Sequence, residues 1–169
     1  MTISMYASSV PVFKQMLGSL DAILGKTIAH CSEKKIEPQV LFTERLFPNM
    51  FPLNRQVQIA CDFAKGISAR LANVAIPKTE DKEQSLEELQ ALIHMTLSFL
   101  DTFTPTQFEG SEEREIITRP GTPKEKKFIG QQYLLGYGLP QFFFHVTTAY
   151  NILRHNGVEL GKGDYMGKY

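Results

Sequence analysis

No run of apolar residues in this 169-residue chain approaches the roughly 18 that a helix needs to cross a bilayer. The opening "MTISMYASSVPVFKQ" has no basic stretch leading into an apolar one, so no secretory leader is expected. An excess of either charge is missing too. The 18 Lys and Arg balance 18 Asp and Glu, which leaves no basic field to hold phosphate backbones or anionic lipid. Cysteine is scarce, and Cys31 and Cys61 lack CxxC spacing, which points to reduced thiols rather than a disulfide framework. These absences argue against nucleic acid and membrane as partners and predict a soluble, cytoplasmic protein. A chain of this length buries roughly 70% of its unfolded surface, enough for one domain spanning residues 1–169 without staples.

What is present is helical periodicity. Val10, Phe13, Leu17, Leu20, Leu24, Ile28 and Cys31 recur at steps of three and four, behind a start at "SSVP" where Ser8 or Ser9 can cap and Pro11 sits in the first turn. "KKIEP" closes that helix, and "PQVLFTERLF" has room for a short one before the prolines of "PNMFP" force a turn. Leu53, Val57, Ala60, Ala64, Ile67, Leu71 and Val74 predict a second long helix, whose small residues allow close packing. "SLEE" is a capping box for a third, with Leu86, Leu89, Ile93, Leu97 and Leu100 as its stripe. "REIITRPGTPKEKKFIG" changes period and reads as a hairpin. Gly136, Gly138 and Pro140 predict a break, after which a fourth long helix runs from about Gln141 to His155 and stops at Asn156-Gly157. The tail "VELGKGDYMGKY" reads as irregular, packing back through Val158, Leu160, Tyr165 and Met166. The expected fold is all-α, a four-helix bundle with a short inserted β-hairpin.

Candidate chemistry centres on His145, directly behind Phe142 to Phe144 at the apolar face of the fourth helix. It reads as a core histidine with one hydrogen-bond partner, a polar group in a pocket, or a metal ligand. Ligands on one helix converge at i and i+3 or i+4, but those slots hold Thr148 and Ala149, and His155 lies about 15 Å along the axis. His155 and His30 suit helix C-terminal ends, and His94 suits the surface. Asp62, beside Cys61, is spaced from Lys65 for an i,i+3 ion pair on the solvent face, though an acid among apolar residues also suggests a base or ligand. Tyr133, Tyr137 and Tyr150 either line an aromatic pocket or fill the core. "GKGDYMG" lacks the spacing and the flanking strand and helix of a phosphate-binding loop.

Taken together, "FPLNRQVQIACDFAKG", "LPQFFFHVTTAYNILRHNGVELGKGDYMG" and the intervening "REI" resemble, over nearly the whole chain, an uncharacterised family within the DinB/YfiT-like metalloenzyme superfamily. The resemblance implies a DinB-like four-helix bundle, often dimeric. In metal-binding relatives it implies three histidines, one from the second helix and an H-x-x-x-H pair near the last, that hold nickel or zinc beside an open position. Some relatives transfer groups to small thiols. Only His145 matches here: Ala149 fills the second slot of the pair, and the second helix reads "ACDFAKG".

Three readings follow. In the first, the bundle keeps its ancestral shape without the ion or any other cofactor, and holds a small molecule in a pocket lined by His145, Asp62, Tyr137 and Tyr150. In the second, a metal-dependent transferase or hydrolase uses zinc or nickel held by His145, Asp62 and Cys61. In the third, the chain is a structural homodimer.

Overall fold

The computed structural model describes residues 3–169. Helix α1 (Val10–Lys34) buries Val10, Phe13, Leu17, Leu20, Leu24 and Cys31 along one stripe. Its start differs from the predicted cap. The Ser9 hydroxyl donates back to the Met5 carbonyl at 2.6 Å instead of accepting from the first turn, because a turn over residues 5–9 already supplies helical bonds upstream. Lys35 takes a left-handed conformation (φ 55°), and the Ile36 N–H closes the end on the Cys31 carbonyl.

Helix α2 (Pro38–Phe42) is shorter than the predicted segment to Phe47. The loop after it is stable without helix: the Leu53 N–H bonds the Glu44 carbonyl, and the Arg45 guanidinium takes the carbonyls of Pro48 and Met50. Helix α3 (Leu53–Ala72) ends on left-handed Asn73, one residue before Val74, which lies outside the helix and is exposed. Helix α4 (Leu86–Leu100) begins on Ser85, whose hydroxyl accepts from the Glu88 N–H at 3.1 Å. The reciprocal half of the box is displaced by one residue, since the Glu88 carboxylate accepts from the Gln84 N–H rather than from that of Ser85.

A 3-10 turn (Pro105–Phe108) leads into strands β1 (Glu115–Thr118) and β2 (Lys126–Ile129), antiparallel with Ile116 opposite Phe128. The hairpin turn places Pro120 before Gly121 (φ +71°), as a type II turn requires. At the hairpin base the Arg114 guanidinium bonds the Leu71 carbonyl at the end of α3.

The predicted break before the last helix is not a break. Helix α5 (Gly130–Gln132), a π-helical turn (Tyr133–Gly138) and α6 (Leu139–His155) follow without interruption. A π turn shifts the hydrogen-bond ladder by one residue, so the N–H that Pro140 lacks falls where the ladder is already out of register. Gly138 has a separate reason to be glycine: a Cβ there would lie 2.7 Å from Ile67 Cδ1, so its bare backbone lets the π turn press against α3.

The tail is also more ordered than predicted. Val158 and Leu160 are buried, and helix α7 (Lys162–Met166) docks on α1. Lys26 pairs with Asp164 at 2.6 Å, Gln15 Nε2 donates to the Met166 carbonyl at 2.8 Å, and the Tyr165 hydroxyl lies 2.9 Å from Thr147 Oγ1. The four long helices pack as a bundle, with α3 central between α4 and α6, and α1 closing against α4 and α6. No helix is long and apolar enough to cross a membrane, among the described residues.

Candidate functional site

Helix α3 presents two working faces. Gln56 and Phe63 look toward α6, where they meet His145. His145 Nδ1 lies 2.7 Å from Gln56 Oε1, and Gln56 Nε2 donates to the Phe51 carbonyl at 2.9 Å. Because the amide must present its oxygen to the ring, Nδ1 carries the proton and donates it. The imidazole stacks on Phe63 with centroids 5.8 Å apart and planes 19° apart, and Phe144 meets it edge-on. His145 is buried. Burial, and then the nearby Arg55 charge, push its pKa below the ordinary 6.5, so the neutral ring is the stable form. Nε2 has no protein partner, yet Ser68 Oγ is the only side-chain nitrogen or oxygen both fully buried and unpartnered among the described residues. Nε2 therefore touches solvent.

Beside Phe63, α3, the π turn and the hairpin line an open-sided cavity of about 380 Å³. Its apolar lining includes Phe51, Ile59, Phe63, Tyr133 and Tyr137. Tyr133 and Tyr137 stack with centroids 5.7 Å apart, and Phe128 from β2 packs on both from behind. Its charged lining is Arg55, Arg70, Arg119 and Asp62. Arg55 is neutralised by Asp81 at 2.5 Å, and Asp62 by Lys65 at 3.1 Å. Arg70 has no carboxylate partner among the described residues. Its guanidinium folds back over Gly66, where a Cβ would stand 2.7 Å from Nη1, and Nη1 donates to the Tyr133 hydroxyl at 3.2 Å. Burial raises the Tyr133 pKa against the opposing pull of Arg70, so the phenol keeps its proton and can donate it.

The structure thus separates the residues singled out from sequence. Asp62 and Tyr137 line the cavity; His145 stands behind Phe63, one ring away. Tyr150 lies elsewhere, edge-on to Tyr165 of α7 with centroids 5.7 Å apart. Cys61 is fully buried on the α4 side of α3, near Thr96, and burial pushes its thiol up to about 12. His94 is exposed and pairs with Asp21 at 3.1 Å. Sequence reasoning missed Gln56, Arg55, Arg70 and Arg119. A signal was available for part of this: Arg55, Ile59, Asp62, Gly66 and Arg70 recur at helical steps, a second stripe that its polarity disguises as solvent face.

The donor set does not fit the nickel or zinc ion that the sequence resemblance implies. His145 spends Nδ1 on an amide oxygen, Asp62 is held by Lys65, and the Cys61 thiol faces α4 with a pKa far above neutrality. No group of three or more His, Cys, Asp or Glu among the described residues converges on a point where a metal would sit.

Four long helices, a hairpin inserted between the third and fourth, and a last-helix histidine facing the second long helix define a DinB-like bundle. The chain belongs to the family described as a domain of unknown function (DUF1993), whose model matches residues 5–166. Among solved structures it is similar to a DinB family member protein from Shewanella denitrificans, at 40% identity over 97% of this chain and 92% of that one, with a TM-score of 0.91. No curated protein matches it.

Proposed function

We propose that this protein is a metal-free DinB-like bundle that binds a small molecule in the cavity beside His145, in the cytoplasm. The observation that carries the reading is the cavity itself. At about 380 Å³ it falls within the range of small-ligand sites, roughly 300–1,000 Å³, and combines aromatic walls with a few convergent polar groups as such sites do. The Gln56–His145 bond supports the metal-free part: it ties the second long helix to the fourth through an amide, where the sequence resemblance implies histidine ligands for an ion. In this reading His145 holds Phe63, the wall between imidazole and cavity, in position by ring stacking.

The test is native mass spectrometry of the full chain, purified without chelator, after incubation with a small-molecule extract, with and without EDTA. A retained small mass that survives EDTA is the expected result. A chain that retains nothing, or one whose retention disappears with EDTA alongside stoichiometric zinc or nickel, overturns the reading.

One observation favours a second reading, a homodimer. Phe51, whose carbonyl holds the Gln56 amide, and Phe144, edge-on to His145, are each more than half exposed, apolar surface that a second copy would cover. Light scattering at micromolar concentration decides it: a monomer mass ends this reading.

A further inference from the structure

We infer that the ligand of this cavity is a small planar organic anion, an aromatic ring bearing a carboxylate or phosphate, with its charged end on Arg70. The inference rests on the small-molecule reading above and names its chemistry.

The charges around the cavity decide the sign. Of the four charged residues that line it, Arg55 and Asp62 already have partners of opposite charge in Asp81 and Lys65. That leaves Arg70 and Arg119 uncompensated among the described residues, and the hole carries net positive charge. Arg70 is half-buried, where an unpaired cation is costly and a carboxylate or phosphate would offset the cost. Its guanidinium is also preorganised. Gly66 leaves room for it to lie back against α3, and the bond from Nη1 to the Tyr133 oxygen fixes it there while its other N–H groups stay available to an anion. The planar fork of N–H donors on an arginine without a carboxylate partner matches the two oxygens of a carboxylate or phosphate.

The shape decides the rest. Tyr133 and Tyr137 lie nearly parallel, 22° apart, and Phe63 stands 65° to Tyr137 at 6.1 Å, so the walls are ring faces and edges that favour an aromatic body. Arg119, at the hairpin tip in a left-handed conformation (φ 51°), stands at the rim, where a second guanidinium meets an anion on entry.

The test is calorimetric titration of the full chain with 4-hydroxybenzoate and with phenyl phosphate, against benzamide as the neutral ring and inorganic phosphate as the ringless anion. Saturable binding of one or both aryl anions, at least tenfold tighter than benzamide or inorganic phosphate, is expected. Whichever aryl anion binds more tightly identifies the charged group. Arg70→Gln should weaken that binding about tenfold or more, as expected for loss of a charge-assisted pair. Arg119→Gln, on an exposed turn where folding is not at stake, should weaken it less. Equal binding of benzamide and 4-hydroxybenzoate, equal binding of inorganic and phenyl phosphate, or an Arg70→Gln variant with intact circular dichroism and unchanged affinity overturns the inference. A small mass retained from the extract alongside no response to either aryl anion also overturns it, while leaving the small-molecule reading standing.

Discussion

Gln56 Oε1 and His145 Nδ1 lie 2.7 Å apart although 89 residues separate them in sequence. The bond joins the second long helix to the last inside the core and decides which ring nitrogen holds the proton. Gln56→Leu leaves that N–H buried without an acceptor and should cost about 1–3 kcal/mol of stability, measured by urea unfolding. Gln56→Glu replaces the amide oxygen with a carboxylate that favours the imidazolium, and should raise the His145 pKa from below 6.5 to above it. An NMR titration of the ring protons reads this directly. An unmoved midpoint would mean that the pair is not in contact.

The depressed His145 pKa also gives stability a pH dependence. The fold favours the neutral ring, so between the folded value and 6.5 the unfolded chain binds the proton and the folded chain does not. The stabilisation is complete above about pH 6.5 and is lost as pH falls through the folded value. The urea midpoint should therefore be lower at pH 5.5 than at pH 7.5, and His145→Gln should shrink the difference. A midpoint that rises on acidification, or a difference that His145→Gln leaves intact, would contradict the assignment.

Both cysteines should be silent in the native state. Cys61 is fully buried with its thiol pushed up to about 12, and Cys31 is only 2% exposed. The thiolate is the reactive form, so Ellman's reagent should titrate no thiol in native buffer and two in denaturant. Labelling should then track global opening rather than local chemistry. Fast stoichiometric labelling of one thiol without denaturant would disprove the burial of Cys31 or Cys61.

These contacts mark where sequence reading reaches its limit. The stripes of α1, α3, α4 and α6 were legible because Phe13, Leu17, Val57, Ile67, Leu89 and Ile152 repeat at a helical step that any packed neighbour enforces. The Asn73 and Lys35 helix ends, and the Pro120-Gly121 turn, follow from local backbone chemistry. The π turn was not legible, because Gly136, Gly138 and Pro140 are the same residues that break helices, and only contact with Ile67 shows that Gly138 is there for closeness. Helix α7 is held by Lys26, Gln15 and Thr147 from other segments, so "GKGDYM" alone reads as loop. Gln56 and Arg70 look like ordinary solvent-face polar residues until the partners that bury them are known. Asp62 stood out as an acid among small and apolar residues, and Tyr137 as one of three tyrosines able to line an aromatic pocket; both lie at the cavity, whereas Tyr150 does not. His145 stood out as a histidine on an apolar helix face, yet what it does depends on a distant glutamine.

Gly138→Ala should test the π turn. The added Cβ would meet Ile67 Cδ1 at 2.7 Å and the Tyr133 carbonyl at 3.3 Å, and at least the carbonyl cannot move without moving the turn. Overpacking of this kind costs about 1–3 kcal/mol. Because the same turn carries Tyr133 and Tyr137, ligand affinity should fall together with stability. A stable variant with unchanged aryl-anion binding would show that the turn tolerates separation from α3.

Gly66→Ala separates binding from folding more cleanly. Gly66 is buried in the interior of α3, where alanine is favoured over glycine by about 0.5–1 kcal/mol. The new Cβ meets nothing closer than the Arg70 guanidinium, with Nη1 at 2.7 Å and Cζ at 3.8 Å, and that flexible end can swing aside. Swinging aside breaks the Arg70–Tyr133 bond and moves the guanidinium that should hold the anion. The variant should therefore unfold at an equal or higher urea concentration while binding the aryl anion several-fold more weakly. Destabilisation would mean that the site around Gly66 is tighter than the Arg70 contact alone, and undiminished affinity would mean that Arg70 does its work from some position other than the one against α3.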